Sequence, residues 1–268
     1  MMYFLSVVLI GTIYPIFLDV LSSQKISVGP PFYHKLIIPF LIPFLLIMAI
    51  GPKLKWIKSN LENKIYLFTL LIISILLSVL IVKNFSSNFL INTILISSAL
   101  YLFFITLRDF FSKGFKNLAQ NTAHFGFSLL ILSILFNSLF SSEIITNLKV
   151  GQTFENAKAK IVFESLSQKQ GENYKSIIGN FIIQDSKGRM ENLSPELRIY
   201  NQPNITTSEA DIKTTLLSDK FMVINIVQNQ DFFNVRYQVK PFMLWIWISV
   251  ILISFGGLIS FTKKEYEK

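Results

Sequence analysis

Six apolar stretches, at roughly 3–22, 36–51, 65–82, 89–107, 122–140 and 241–261, constrain this chain more than any other feature. Most reach the roughly 20 residues that an α-helix needs to cross the hydrocarbon core of a bilayer. Only 15% of the 268 residues are charged and 51% are hydrophobic, too little polar surface for an ordinary soluble domain. That pattern excludes a disordered chain, a disulfide-rich secreted module and a plain soluble enzyme. The first stretch lacks a basic leader and a small-residue cleavage site and holds Pro15 and Asp19, so it reads as a span. The second is short and holds Pro39 and Pro43; it is expected to kink, or to extend toward Trp56.

The net charge of +9 belongs to the loops. Residues 141–240 carry 12 Lys and Arg against 11 Asp and Glu, so nearly all the excess flanks the apolar stretches. A nucleic-acid surface would gather its cations on a folded face interleaved with stacking aromatics, and no nucleic-acid partner is expected. One set of short segments holds ten cations: Lys53, Lys55, Lys58, Lys64, Arg108, Lys113, Lys116, Lys263, Lys264 and Lys268. The opposite set holds three: Lys25, Lys35 and Lys83. The positive-inside rule then puts both termini in the cytoplasm, with Trp56 at the inner interface and Trp245 and Trp247 at the outer one.

Residues 141–240 fall outside. Apolar residues alternate there at strand period, as in Phe221, Val223, Val227 and in Phe233, Val235, Tyr237, Val239. Turn signals at Gln170-Gly171-Glu172, Asp185-Ser186-Lys187-Gly188 and Asn229-Gln230-Asp231 separate the runs. About six strands are expected, enough for a small sandwich or barrel. Pro241 is expected to open the sixth helix. The predicted class is therefore an α-helical polytopic membrane protein of about six spans with one extracytoplasmic β-rich domain. Its expected parts are a five-helix region at 1–140, the β-rich domain at 141–240, and the sixth helix with its cytoplasmic tail at 241–268.

The chemistry is sparse. There is no cysteine, hence no disulfide, thiolate metal site or iron–sulfur cluster within the chain. No phosphate loop, nucleophile elbow or paired-histidine motif is present. Gly256-Gly257 lies within a span and reads as a helix-packing contact. The two histidines are His34, read as a solvated residue of an outer loop, and His124. His124 stands at the cytoplasmic entrance of the fifth span, where an ionisable residue is costly and is a functional candidate. Asn121 is expected to cap that helix and put His124 in its first turn; Gly126 would leave space, and Phe125 and Phe127 would supply flat apolar walls. The residues alone also allow an interfacial histidine hydrogen-bonded to a neighbouring helix. A transporter is disfavoured by the lack of intramembrane charge, Asp19 alone lying near a span end.

Several segments resemble one family in order along nearly the whole chain. They are Leu9-Ile10-Gly11-Thr12-Ile13-Tyr14-Pro15, Lys25 to Tyr33, Gly51-Pro52-Lys53-Leu54-Lys55-Trp56, Ala123-His124-Phe125-Gly126, Pro195 to Tyr200, Thr206 to Ile212, and Val239 to Trp247 with Gly256-Gly257-Leu258. The family is CcmF, the F component of cytochrome c maturation, and the resemblance is to its C-terminal part. The family's tryptophan-rich motif, two external histidines and a first intramembrane histidine belong to the N-terminal part and have no counterpart here. The resemblance thus implies a fragment or one product of a split gene.

It further implies a heme lyase that takes heme from a heme chaperone and joins its vinyl groups to the Cys-x-x-Cys-His thiols of apocytochrome c. Such an enzyme also holds a heme b between two intramembrane histidines, which makes His124 one axial ligand, with the second in the N-terminal part. Heme as substrate, heme b as shared cofactor, and the N-terminal part, the heme chaperone, apocytochrome c and membrane lipid as partners follow from the same resemblance. So does a place in a bacterial inner membrane, or the mitochondrial one. On its own this chain is not expected to be active. The rival from another class is a membrane scaffold whose outer β domain docks partners and whose His124 is structural.

Overall fold

The computed structural model describes residues 2–21, 27–54, 64–83, 88–112, 117–185, 188–227 and 231–266, the side chains beyond 262 excepted. Trp56, the cations Lys25, Lys55, Lys58, Lys113, Lys116 and Lys268, and turn residues Ser186, Lys187, Asn229 and Gln230 lie outside them, as do the side chains of Lys263 and Lys264.

All six apolar stretches are helices: α1 (Met2–Leu21), α2 (Pro30–Ile50), α3 (Lys64–Val82), α4 (Phe89–Ser112), α5 (Leu118–Phe140) and α6 (Met243–Tyr266). Each is long and apolar enough to cross a membrane. Two compact units emerge: residues 1–132 with 249–268, and residues 133–248.

In the first unit α4 is the central helix. Ten of its residues from Leu95 to Thr106 are buried, whereas apolar side chains of α1 and α3 such as Phe17, Val20, Ile65 and Phe68 stay exposed, as lipid-facing residues do. Small residues let α3 and α4 approach. Ser74, Ser78, Ser97 and Ser98 are buried, and each hydroxyl is satisfied by donating to a carbonyl three or four residues back, at 2.8–2.9 Å. Arg108 of α4 lies 4.0 Å over the Tyr66 ring of α3, a cation–π contact.

The second stretch lengthens at its other end. Helix α2 starts at Pro30, with Pro30 and Pro31 in the first-turn positions where a missing N–H costs nothing, and Gly51–Lys53 form one 3₁₀ turn after it. His34 is consequently an exposed residue of α2 and not of a loop. Pro39 and Pro43 are accommodated inside α2. Tyr3 of α1 donates its hydroxyl to the Leu36 carbonyl nearby, at 2.9 Å.

The second unit holds the described strands, ten of them: β1 (Ser142–Leu148), β2 (Thr153–Glu155), β3 (Ala159–Gln170), β4 (Tyr174–Asp185), β5 (Met190–Leu193), β6 (Glu196–Asn201), β7 (Asn204–Glu209), β8 (Asp211–Thr214), β9 (Ser218–Ile226) and β10 (Phe233–Pro241). The sequence suggested about six because β2, β5, β7 and β8 are short or polar and show no alternation. They are strands because neighbouring strands pair with them. One antiparallel sheet has the order β1-β10-β9-β8; the other runs β2-β3-β4-β6-β7, with β5 also on β4.

Both sheets feed one core, in which Ile144, Phe163, Phe181, Leu197, Ile224, Val235 and others are buried. Phe163 and Phe181 stack at 4.3 Å. A Cβ on Gly179 would stand 2.7 Å from the Phe181 ring, so the missing side chain makes room for that ring. Lys220 and Glu191 form a largely buried ion pair at 2.7 Å. The chain is thus an α-helical polytopic membrane protein with an extracytoplasmic β domain.

The passage from β10 to α6 differs from expectation. Pro241 ends the strand and pairs with Ser218; Phe242 turns the chain with φ 61°, and α6 starts at Met243. The end of α5 is fastened beside this turn. Asn137 donates its side-chain amide to the Pro241 carbonyl at 2.6 Å, and the Phe136 and Phe242 rings are 5.5 Å apart.

Candidate functional site

Helix α5 opens earlier than its sequence suggests. Its first backbone bond runs from the Asn121 N–H to the Asn117 carbonyl at 3.0 Å, so Asn121 is inside the helix and not its cap. The Asn121 side chain instead donates to the Asp109 carbonyl of α4, at 3.2 Å. His124 therefore lies in the second turn, half-buried, on the face it shares with Gln120 and Asn121 at i−4 and i−3.

That face closes a cavity of about 50 Å³ with the ends of α2 and α4. Met48, Ala49 and Pro52 line it from one side, Ile105, Thr106 and Asp109 from another, and Asn117, Gln120, Asn121 and His124 from α5. Lys53, just past α2, reaches both carboxylate oxygens of Asp109, at 3.1 and 3.0 Å. Both side chains are under one-fifth exposed, 19% and 15%. Deeper, Thr106 and Ser128 join α4 to α5 at 2.7 Å. Among the described residues no hydrogen bond occupies the His124 imidazole, so its nitrogens are not committed to a neighbouring helix.

The surroundings of His124 differ from the expected flat-walled slot. A Cβ on Gly126 would meet the Ile253 backbone nitrogen at 2.9 Å, and one on Gly256 would meet the Ala123 nitrogen at 2.7 Å. Those two glycines thus let α5 and α6 touch, and Gly126 leaves no free space; Gly257 has nothing within 4 Å. Phe125 stacks on Phe110 at 5.2 Å and Phe127 meets Phe44 edge-on at 6.1 Å, so both rings are spent on helix packing.

His34 is far from this site. It stands near the start of α2, whereas Met48 and Ala49, fourteen and fifteen residues on, line the His124 cavity. That separation is roughly 20 Å along the helix. Sequence reasoning missed the Lys53–Asp109 pair. The fourth apolar stretch ends at 107 and leaves Asp109 beyond it, but α4 continues to Ser112 and carries Asp109 into the helix, so Asp19 is not alone at a span end. A lysine just past one span and an aspartate just past another was the available signal. Among the described residues, no three His, Asp or Glu side chains converge as a metal site.

A family model, the CcmF C-terminal β-sandwich, matches residues 139–241. The cytochrome c-type biogenesis protein CcmF of Pseudomonas fluorescens is 28% identical over 97% of this chain and 42% of its own length. Its counterpart in Escherichia coli K12 is 26% identical over 98% and 42%. The biogenesis protein ccl1 of Rhodobacter capsulatus is 25% identical over 97% and 42%. The chain therefore spans about two-fifths of the length of these curated relatives. A solved structure titled Cytochrome c Heme Lyase CcmF shares the fold, with a TM-score of 0.72 over 95% of this chain and 43% of that one, at 19% identity. The chain is similar in sequence to the CcmF proteins of cytochrome c biogenesis over nearly its whole length, and its residues 139–241 match the model of that family's C-terminal β-sandwich.

Proposed function

We propose that this chain is the C-terminal part of a membrane heme lyase for apocytochrome c, and that His124 supplies one axial ligand to a heme b completed by the family's N-terminal part. The carrying observation is homology over 97% of the chain to proteins named for cytochrome c biogenesis, one solved relative being titled a heme lyase. The donor chemistry fits. His124 offers an imidazole, a standard axial ligand, half-buried and in no hydrogen bond among the described residues. One imidazole would fill one of two axial positions, and since the cavity of about 50 Å³ is far too small for a porphyrin, this reading has the N-terminal part supply the remaining walls.

Heme b held there would supply one-electron reduction. The chain's own residues set the ligand's position. The Lys53–Asp109 pair and the Asn121 bond to the Asp109 carbonyl join α2, α4 and α5 beside His124. The glycine contact with α6 supports the opposite face of α5. The thiols that react belong to the apocytochrome, since this chain has no cysteine to compete for the heme vinyl groups. The β domain has no histidine or cysteine either, and its role in this reading is docking. Partners are the N-terminal part, a heme chaperone and apocytochrome c, at the outer face of an inner membrane with both termini cytoplasmic.

The test is a heme spectrum of this chain co-purified with the N-terminal part. His124→Ala should abolish or alter the low-spin bands and lower cytochrome c maturation with them. Added imidazole should restore part of both signals. His34→Ala should leave the spectrum unaltered. A wild-type spectrum from His124→Ala would remove His124 as a ligand and leave the scaffold reading.

A further inference from the structure

The turn between β8 and β9 is built in a way that neither strand requires. Leu216 and Leu217 stand at its tip, 71% and 66% exposed. Thr215 closes the turn: its N–H and its hydroxyl donate to the Ser218 carbonyl at 3.0 and 2.7 Å, and the Ser218 N–H returns a bond to the Thr215 hydroxyl at 3.1 Å. The tip carbonyls are also taken. Leu217 accepts from the Phe242 N–H at 2.9 Å, and Leu216 accepts from the Trp245 indole N–H at 2.9 Å. Phe242 and Trp245 flank the start of α6. The turn is therefore fixed to the end of a membrane span by two bonds, while its leucines stay exposed.

We propose that this turn is a membrane anchor, in which Leu216 and Leu217 enter the acyl–headgroup boundary of the leaflet facing the β domain. Three observations select lipid. First, the patch is continuous with α6, whose opening turns carry Trp245 and the 63% exposed Trp247, side chains suited to that boundary. Second, irregular backbone resists an apolar surrounding until its polar groups are bonded; both tip carbonyls are, so only the Leu216 and Leu217 N–H groups still need the headgroup oxygens that the acyl–headgroup boundary supplies. Third, the exposed tip is two residues wide, far below the area of a stable protein interface but sufficient for insertion into lipid.

The ladder sets the direction. Ser218 pairs with Pro241 beside α6, and Ile226 pairs with Phe233 at the other end of β9. Nine residues of strand separate the two ends, on the order of 25 Å. The turn holding Val150, 46% exposed, follows Leu148 of β1, which pairs with Phe233 at that distant end. It serves as the aqueous reference. The proposal uses the membrane-spanning role of α6 and is independent of heme.

The chain contains no cysteine, so a single introduced thiol is a unique label. Leu216→Cys, Leu217→Cys and Val150→Cys would each be spin-labelled in the full chain, reconstituted in phosphatidylcholine–phosphatidylglycerol vesicles. Collision with oxygen, which concentrates in lipid, would be compared with collision with a water-soluble nickel chelate. Labels at 216 and 217 should favour oxygen and the label at 150 should favour nickel, a reversal of the ratio. Equal, nickel-dominated behaviour at all three positions would overturn the anchor. So would labels at 216 and 217 shielded from both reagents, since the turn would then be covered by protein. Loss of the reversal in detergent-free nanodiscs, where the flat bilayer is retained, would also count against it.

Discussion

Lys53 and Asp109 illustrate how a charge at a membrane boundary is made tolerable. Neither is solvated fully, and each supplies what the other lacks, a two-pronged contact at 3.0–3.1 Å. A pair between the exposed and buried limits resists loss of one partner more than loss of both. Lys53→Met should therefore destabilise the detergent-solubilised chain by roughly 1–3 kcal/mol, and the double variant Lys53→Met with Asp109→Leu should recover part of that. A thermal double-mutant cycle measures it, and additive losses would show that the pair is not coupled. Asp109 holds two elements at once, since its backbone carbonyl also receives the Asn121 amide. This is why the immediate neighbourhood of His124 was only half legible. The histidine stood out as one of two in the chain, but the groups that position the helix beneath it come from residues 53 and 109, which sequence order keeps apart.

At the scale of elements, the contact of α5 with α6 depends on absent side chains. Two adjacent glycines in α6 have opposite tolerance, because Gly256 faces the Ala123 and Ala119 backbone and Gly257 faces nothing within 4 Å. Gly256→Ala should cost about 1–3 kcal/mol through overpacking. Gly257→Ala should be neutral or slightly stabilising, since alanine is the better helix former. Melting temperatures of the two variants in one detergent check this, and equal losses would refute the assigned faces. The sequence predicts that such a pair packs helices; it does not say which of the two glycines does so, because that depends on the rotation of α6 against α5. The same limit explains the short strands. A run such as Asp211–Thr214 has no intrinsic reason to be extended and becomes a strand because β9 offers it a free edge.

Across the whole molecule, the ten-to-three division of loop cations predicts orientation. Reporter fusions at Asn60 and Lys268 should report cytoplasm, and fusions at Ser87 and Ser186 the opposite side. A cytoplasmic signal at Ser186 would contradict the proposed meeting of the β domain with exported apocytochrome. What the sequence alone determined is whatever one-dimensional patterns control. Apolar length selected the six membrane-length helices, since an unbroken apolar run has few ways to satisfy its backbone in lipid other than helix. Strand-period alternation marked the β domain. Family-like segments pointed to His124 as the residue of interest. Only tertiary structure decided where the spaces are. It filled the gap beside Gly126 with α6, turned Phe125 and Phe127 into packing contacts, and drew Asp109 into α4 to meet Lys53. It also fixed an exposed leucine turn to the start of α6. The reason is physical: periodicity sets which face of an element is apolar, whereas contacts between elements depend on their separation and rotation, set by many side chains packing at once.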